Sequence, residues 1–405
     1  MKRLLQIGGA LNCGAPGKIA EQIGLLAKIN GWDVYMAHGL RYSNLSQLKT
    51  IPMVTPWEEK VHAAYSLFLD GHGLGPSRGT RRLVEWIKEN KPDIIHLHNI
   101  HGYFCNFKVL FEYLDTITVP VIWTMHDCWP FTGRCFHFEG IGCNKWKTGC
   151  YECKAEKGYT VSPFYDRSKQ LYELKKRLFS SVKNLTMVPV SDWQASFLKE
   201  SFLKNCPIEV IHNGVDLNKF FHMDGSRLRE KYSLQNKFVI LGVAAPWNKR
   251  KGYDDFIQLC EILPKDKFSI VLVGLKDEQK KKLPSSIIGI TRTESQLELA
   301  EFYSMANVFC NMTYLDTFPT VNLEALACGT PVITYKTGGS PEAVDSKTGV
   351  VVEQGNINAI AEAIKAMHKK SLDSYDCRKR AEKLFNKDKC FEKYIDLYEN
   401  LLNNY

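Results

Sequence analysis

The chain has 405 residues, of which 44% are hydrophobic and 24% charged, with a formal net charge of +9. The length exceeds one ordinary core and predicts two domains of a globular protein. No run of about 20 apolar residues occurs, which excludes a spanning helix, and the short apolar run after Met1-Lys-Arg is too brief for a signal peptide.

Taken in chain order, short apolar runs alternate with amphipathic stretches. Strands are expected at Leu4–Ile7, Asp33–Ala37, Ile94–His98, Val121–Met125, Thr186–Val190 and Glu209–Ile211. A second series follows at Val239–Val243, Ser269–Val273, Gly289–Thr291, Val308–Asn311, Pro331–Tyr335 and Gly349–Val352. Helices are expected between most of them, for example at Gly17–Asn30, Arg78–Asn90, Lys169–Val182, Tyr253–Leu263, Ser295–Ala306, Thr320–Ala327 and Ile357–Lys369. Continuous apolar strands separated by helices read as parallel sheets covered on both faces, and two such series as two Rossmann-like α/β domains. The Asn213-Gly214 turn marks the boundary, giving an N-terminal domain at 1–212 and a C-terminal domain at 213–386. The remaining 387–405 carries a wide apolar stripe and is expected to pack back on the first domain.

Several stretches carry chemistry. The first strand runs into Gly8-Gly-Ala-Leu-Asn-Cys-Gly14-Ala-Pro-Gly17-Lys18, where glycines let backbone N–H groups approach a phosphate or sugar. Gly14, Gly17 and Lys18 are the candidates, although glycines needed only for a tight, packed turn would look the same. The strand ends His96-Leu-His98-Asn99 and Thr124-Met-His126-Asp127 place polar groups where ligands bind in open α/β sheets. In the second series, the loop Gly242–Gly252 ends in Lys249-Arg250-Lys251, cations able to neutralise a leaving diphosphate. Further on, Asp316-Thr317-Phe318-Pro319-Thr320-Val-Asn-Leu-Glu324 sets two carboxylates eight positions apart, one on a loop and one expected in the first turn of a helix. A carboxylate such as Glu324 can accept both hydroxyls of a ribose, and the helix N-terminus suits phosphate.

Five of the thirteen cysteines crowd into residues 128–153, inside an insert (about 128–161) that reads as neither strand nor helix. Long loops of this kind are functional or cross-linked. Cys135, Cys143, Cys150 and Cys153 offer four sulfurs, the last two at zinc-knuckle spacing, as for a closed structural zinc site; free thiols and disulfides are the alternatives, disulfides being disfavoured in the cytosol. The helix at Lys169–Val182 is basic and amphipathic, either touching anionic lipid or presenting a solvated face.

The string from Asp316 through Glu324 to Ala-Leu-Ala-Cys-Gly-Thr-Pro331 resembles the signature of retaining GT-B glycosyltransferases, most closely the family 4 group of bacterial polysaccharide assembly. The likeness runs over nearly the whole chain except the cysteine insert. It implies two Rossmann-like domains facing across a cleft, and metal-independent, retaining transfer of a sugar from a UDP-, GDP- or similar donor. The acceptor would be a saccharide or lipid-linked saccharide, in cell-surface polysaccharide (capsule or lipopolysaccharide) synthesis. By the same likeness Glu324 holds the ribose and Asp316 the sugar hydroxyls. Thr317, Phe318, Pro319 and Thr320 line the sugar and phosphate pocket, with Lys251 and Arg250 at the diphosphate and His126 under the donor sugar. Family members carry an Arg several residues before the Lys-Gly pair, where this chain has Pro246. His98, Asn99 and Asp127 are expected on the acceptor side. No cofactor is expected in catalysis, and zinc only in the insert. The enzyme is expected in the cytoplasm, peripheral to the inner face of the membrane, without nucleic-acid partners. A nucleotide-sugar epimerase or phosphorylase on the same fold, or a zinc-stapled nucleic-acid-binding protein, are the rival readings.

Overall fold

In a computed structural model, residues 1–154, 162 and 164–403 are described. The end of the cysteine-rich insert (155–161) and residues 404–405 lie outside the described residues. The chain divides into two compact units: Met1–Ile211 with Phe391–Tyr405, and His212–Cys390.

The first unit is built on β1 (Arg3–Leu11), β2 (Asp33–Ser43), β3 (Lys49–Pro52), β4 (Ile94–Leu97), β5 (Val121–Met125) and β6 (Leu185–Pro189). They form one sheet in the order β3-β2-β1-β4-β5-β6, every pairing parallel. The second unit repeats the pattern with β7 (Phe238–Val243), β8 (Phe268–Val273), β9 (Ile287–Ile290), β10 (Val308–Asn311), β11 (Val332–Tyr335) and β12 (Gly349–Val352), in the order β12-β11-β10-β7-β8-β9. β4, β5, β6, β10 and β11 are buried at every position, as expected for parallel strands covered on both faces. This strand order reverses beside the first strand of each unit, and the crevice at that reversal is the usual ligand site of doubly wound sheets.

The expected strand Glu209–Ile211 is not one. The one bridge here, Ile208 to Met187, precedes it, although Glu209 N and Ile211 N donate to Met187 O (3.1 Å) and Pro189 O (3.2 Å) along the edge of β6. Elements beyond those expected include β3, whose residues are almost all exposed, and the helix Pro56–Leu69, opened by a Thr55–Glu58 capping box. The helix Ser168–Ser181 does not present a wholly solvated basic face, because Lys175 is fully buried. The described part of the insert folds into three short 3-10 turns, at Trp129–Phe131, Glu139–Ile141 and Lys145–Lys147, around buried Trp129, Phe131, Phe138 and Trp146.

The C-terminal helix Lys387–Asn403 buries Tyr394 and Tyr398 in the first unit, where Trp32 packs edge-on to Tyr398 at 5.6 Å. No helix among the described residues is long and apolar enough to cross a membrane.

Candidate active site

The candidate residues of the second unit gather at the carboxyl ends of β7 and β10, the two strands flanking its reversal point. The turn Lys249–Lys251 is fixed by Asn248, whose side chain accepts from Lys251 N at 3.1 Å. Arg250 O accepts from Tyr314 N at 2.8 Å, tying this turn to the loop after β10. The result places Lys251 Nζ 2.8 Å from Asp316 Oδ2, a half-buried ion pair between residues 65 positions apart. Lys251 is thus a cation set directly against Asp316.

The loop that carries Asp316 is shaped by Gly338, which has φ +52°. A Cβ there would lie 1.7 Å from Asp316 O, and the next residue, Gly339, donates from its N–H to Thr317 O at 2.9 Å. Only glycine tolerates both that backbone and that approach. The signal for this in the sequence is a glycine pair, Gly338-Gly339, shortly after the apolar strand Val332–Tyr335.

The helix Thr320–Ala327 starts after Pro319 with no side-chain cap; Asn322 N donates to Pro319 O at 3.2 Å, and the N–H groups of Thr320 and Val321 are the ones placed to meet a phosphate. Glu324 stands in its second turn, not the first as expected, and Tyr303 OH donates to Glu324 Oε2 at 3.0 Å. The bond holds one carboxylate oxygen in place. Thr317, Phe318 and Pro319 are buried. The Phe318 ring lies 4.9 Å from that of His212 and 5.8 Å from that of Phe385, so it packs inward, contrary to the expectation that its side chain lines a sugar pocket. Thr320 is half-buried at the start of the helix. Asn213 Nδ2 donates to Phe318 O at 3.2 Å, so the Asn-Gly turn props the same loop from below.

In the first unit, the reversal point lies between β1 and β4. Gly14 opens the helix Gly14–Ile29 and is exposed, as is Lys18. Gly17 is buried, and a Cβ there would meet Ala10 O at 3.0 Å, so it serves helix-on-strand packing and does not face a ligand. Asn99 is half-buried, and its carbonyl accepts from Gly9 N at 2.9 Å.

The histidines form an ordered chain. Gln6 Nε2 donates to Ala20 O (3.0 Å), leaving Gln6 Oε1 to accept from His98 Nε2–H (2.9 Å). Burial, with His96 and His126 adding to it, holds His98 well below the usual histidine range, so the ring is neutral and its Nδ1 is an acceptor. His126 Nε2, 3.1 Å away, must then carry the proton, which fixes His126 as the tautomer with a lone pair on Nδ1. Burial pulls His126 down to about 4, against the upward pull of Asp127 and with His101 adding to the fall. His98 therefore does not face an acceptor as expected: both of its nitrogens are used, and its place is to orient His126. His96 is likewise internal, with Nδ1 2.7 Å from Tyr398 OH and Nε2 2.8 Å from Thr124 Oγ1.

Asp127 turns away from His126. Its Oδ2 lies 2.7 Å from His101 Nε2, and its Oδ1 accepts from Trp129 N at 2.9 Å. Although burial raises its pKa, His101 and these hydrogen bonds hold the carboxyl below its ordinary value. Cys135, Cys143, Cys150 and Cys153 all border one cavity of about 190 Å3 in the insert.

Comparison with known proteins bears on the family and the fold. The family model for Glycosyltransferase Family 4 matches residues 31–219, and that for Glycosyl transferases group 1 matches residues 225–384. The chain is 24% identical over 333 residues to the putative colanic acid biosynthesis glycosyl transferase WcaC of Escherichia coli K12, covering 76% of this chain and 77% of that protein. It is 30% identical over 204 residues to the capsular polysaccharide biosynthesis glycosyltransferase CapM of Staphylococcus aureus, which covers 47% of this chain and 53% of that one. Among solved structures, sucrose-phosphate synthase of Thermosynechococcus elongatus is similar with a TM-score of 0.69 at 18% identity, covering the whole of both chains. HepE of Anabaena, solved with UDP-glucose, gives 0.67 at 14% identity, covering 99% of this chain and all of that one. At such identities the structures speak for the fold, and the fold is GT-B. With a family 4 domain followed by a group 1 domain over most of its length, the chain belongs to the GT-B glycosyltransferases of family 4.

Proposed function

We propose that this protein transfers a sugar, with retention of its anomeric configuration and without a catalytic metal, from a nucleoside-diphosphate sugar to a saccharide or lipid-linked saccharide. Cell-surface polysaccharide synthesis is the proposed setting, because the relatives named above act in colanic acid and capsule synthesis by their names. The observation that carries the reading is the Lys251–Asp316 pair beside the uncapped start of the helix that bears Glu324.

Each part has a chemical task. Glu324, held through one oxygen by Tyr303, accepts hydrogen bonds from the ribose diol. The N–H groups at the start of the helix Thr320–Ala327 and the ammonium of Lys251, with Arg250 beside it in sequence, take the diphosphate. Its negative charge grows as the glycosidic bond breaks, so fixed cations lower the barrier and do the work a divalent metal does elsewhere. Asp316 accepts from hydroxyls of the sugar and exchanges part of its bond with Lys251 for them. In the first unit, His126 offers a lone pair on Nδ1 as an acceptor for a substrate hydroxyl. The departing phosphate oxygen takes the proton of the acceptor hydroxyl as that oxygen bonds to the anomeric carbon on the same face. Most of the rate enhancement then comes from position and electrostatics.

UDP-glucose is bound by a neighbour of the same fold. A thermal-shift panel of UDP, GDP, ADP and their sugars identifies the donor, since a ligand raises stability by mass action. NMR of the product made from the stabilising sugar reads the anomeric outcome. Retention is expected in the presence of chelator; inversion, or conversion of the donor to an isomer without acceptor, would sink the reading.

A further inference from the structure

We propose that Cys135, Cys143, Cys150 and Cys153 bind one structural zinc ion that clamps the loop following His126 and Asp127. None of the thirteen cysteines forms a disulfide, and these four border a single cavity of about 190 Å3, with Phe138 and Trp146 among its walls. They are the complete donor set of a closed zinc site, at separations of eight, seven and three residues.

Three further observations point to a bound cation with thiolate ligands. Gly133 N–H donates to Cys150 Sγ at 3.1 Å, the kind of outer hydrogen bond that orients and stabilises a ligating thiolate. Asp166 Oδ2 accepts from Cys153 N at 2.6 Å, which fixes the turn that presents that sulfur. Lys175 is fully buried and donates to Trp129 O (2.9 Å) and Thr132 O (3.1 Å), with no carboxylate within ion-pair distance among the described residues. Burial pushes its pKa well down, and Cys150 and Cys135, ahead of Asp127 and Asp70, act the other way. A zinc ion with four thiolates carries a net charge of about −2. Lys175, when protonated, offsets half of it.

Among the described residues no three of the sulfurs lie within 4.8 Å of one another. Tetrahedral coordination at about 2.3 Å requires sulfurs roughly 3.8 Å apart. Zinc therefore draws the loop inward as it binds and releases one proton per thiol, so that metal binding is coupled to folding of the loop. The consequence reaches the candidate site, because the same segment is tied to it: Cys128 N donates to Phe136 O at 2.9 Å, and the Phe136 ring lies 4.3 Å from that of His101, the partner of Asp127.

The test is a metal count on the full chain purified under reducing conditions without chelator. One zinc per chain is expected, with X-ray absorption showing four sulfur neighbours at about 2.3 Å. Cys150→Ser and Cys153→Ser should each lose most of the metal, whereas Cys206→Ser should keep all of it. Should the serine variants fail to fold, the wild type decides the matter alone: stripping the metal with a strong chelator should lower its melting temperature, and added zinc should restore it. A protein that takes up no zinc with its thiols reduced, a pair of disulfides among the four cysteines, a brown iron–sulfur chromophore, or a nitrogen and oxygen shell around the metal would each overturn the proposal.

Discussion

His126 Nε2 donates to His98 Nδ1 at 3.1 Å, and this bond decides which nitrogen of His126 carries its lone pair. The direction of the bond is set two residues away, by the amide of Gln6. His98→Ala removes the acceptor and lets both tautomers of His126 form. Transfer should fall by roughly tenfold in kcat/KM while nucleotide affinity stays unchanged, and His98→Gln, which restores an acceptor oxygen, should recover part of the loss. Steady-state kinetics with the donor identified above checks this; full activity in His98→Ala removes the orienting role.

Lys251 and Asp316 neutralise one another at 2.8 Å. Lys251→Ala should cost about 10²- to 10³-fold in kcat, as for loss of one preorganised electrostatic contact. It should also weaken nucleoside-diphosphate binding more than nucleoside binding. Equal losses for both ligands would place Lys251 away from the diphosphate.

Gly338→Ala should destabilise the second unit by about 1–3 kcal/mol, since a Cβ there meets Asp316 O at 1.7 Å on a backbone at φ +52°. Denaturant unfolding reads the stability. Because the clash falls on the Asp316 loop, activity should fall even at temperatures where the variant remains folded.

The first unit should weaken in mild acid. Burial lowers His62 to about 4 and His96 to about 3, and burial likewise takes His126 to about 4, from an ordinary value of 6.5. Between about pH 6.5 and 4 the unfolded chain binds protons that the folded unit refuses, so stability falls as pH falls through that window, on the order of 1 kcal/mol per pH unit for each histidine. Seven of the eight tryptophans lie in this unit and Trp247 alone in the other, so tryptophan fluorescence during urea unfolding follows it. A midpoint that is flat from pH 7 to 5 contradicts the burial of these rings.

The two sheets were readable from the sequence because parallel strands buried on both faces are unbroken apolar runs, as in Val121–Met125 and Val308–Asn311. Lys49–Pro52 was not, being a nearly fully exposed edge strand with no apolar signature. The helix Pro56–Leu69 did announce itself, in Thr55-Pro56 and the glutamate at 58, and its omission was a missed capping box. Within the site, residue types next to strand ends were legible, and their partners were not. Nothing local in the sequence links Tyr303 to Glu324 or Gln6 to His98, which meet only through packing. The same limit explains Phe318: its place in the motif gave no sign that the ring turns inward toward His212 and Phe385.

The central claim is that Glu324 reads the ribose of a nucleotide-sugar donor, and a double-mutant cycle in binding tests it most directly. Calorimetric titration would compare the preferred nucleoside diphosphate with its 2′,3′-dideoxy analogue, in the wild type and in Glu324→Ala. The account predicts that the wild type favours the ribose form by about tenfold or more, as for loss of hydrogen bonds to a charged acceptor, and that the preference disappears in Glu324→Ala. A preference that survives the substitution, or a wild type indifferent to the two hydroxyls, would contradict it.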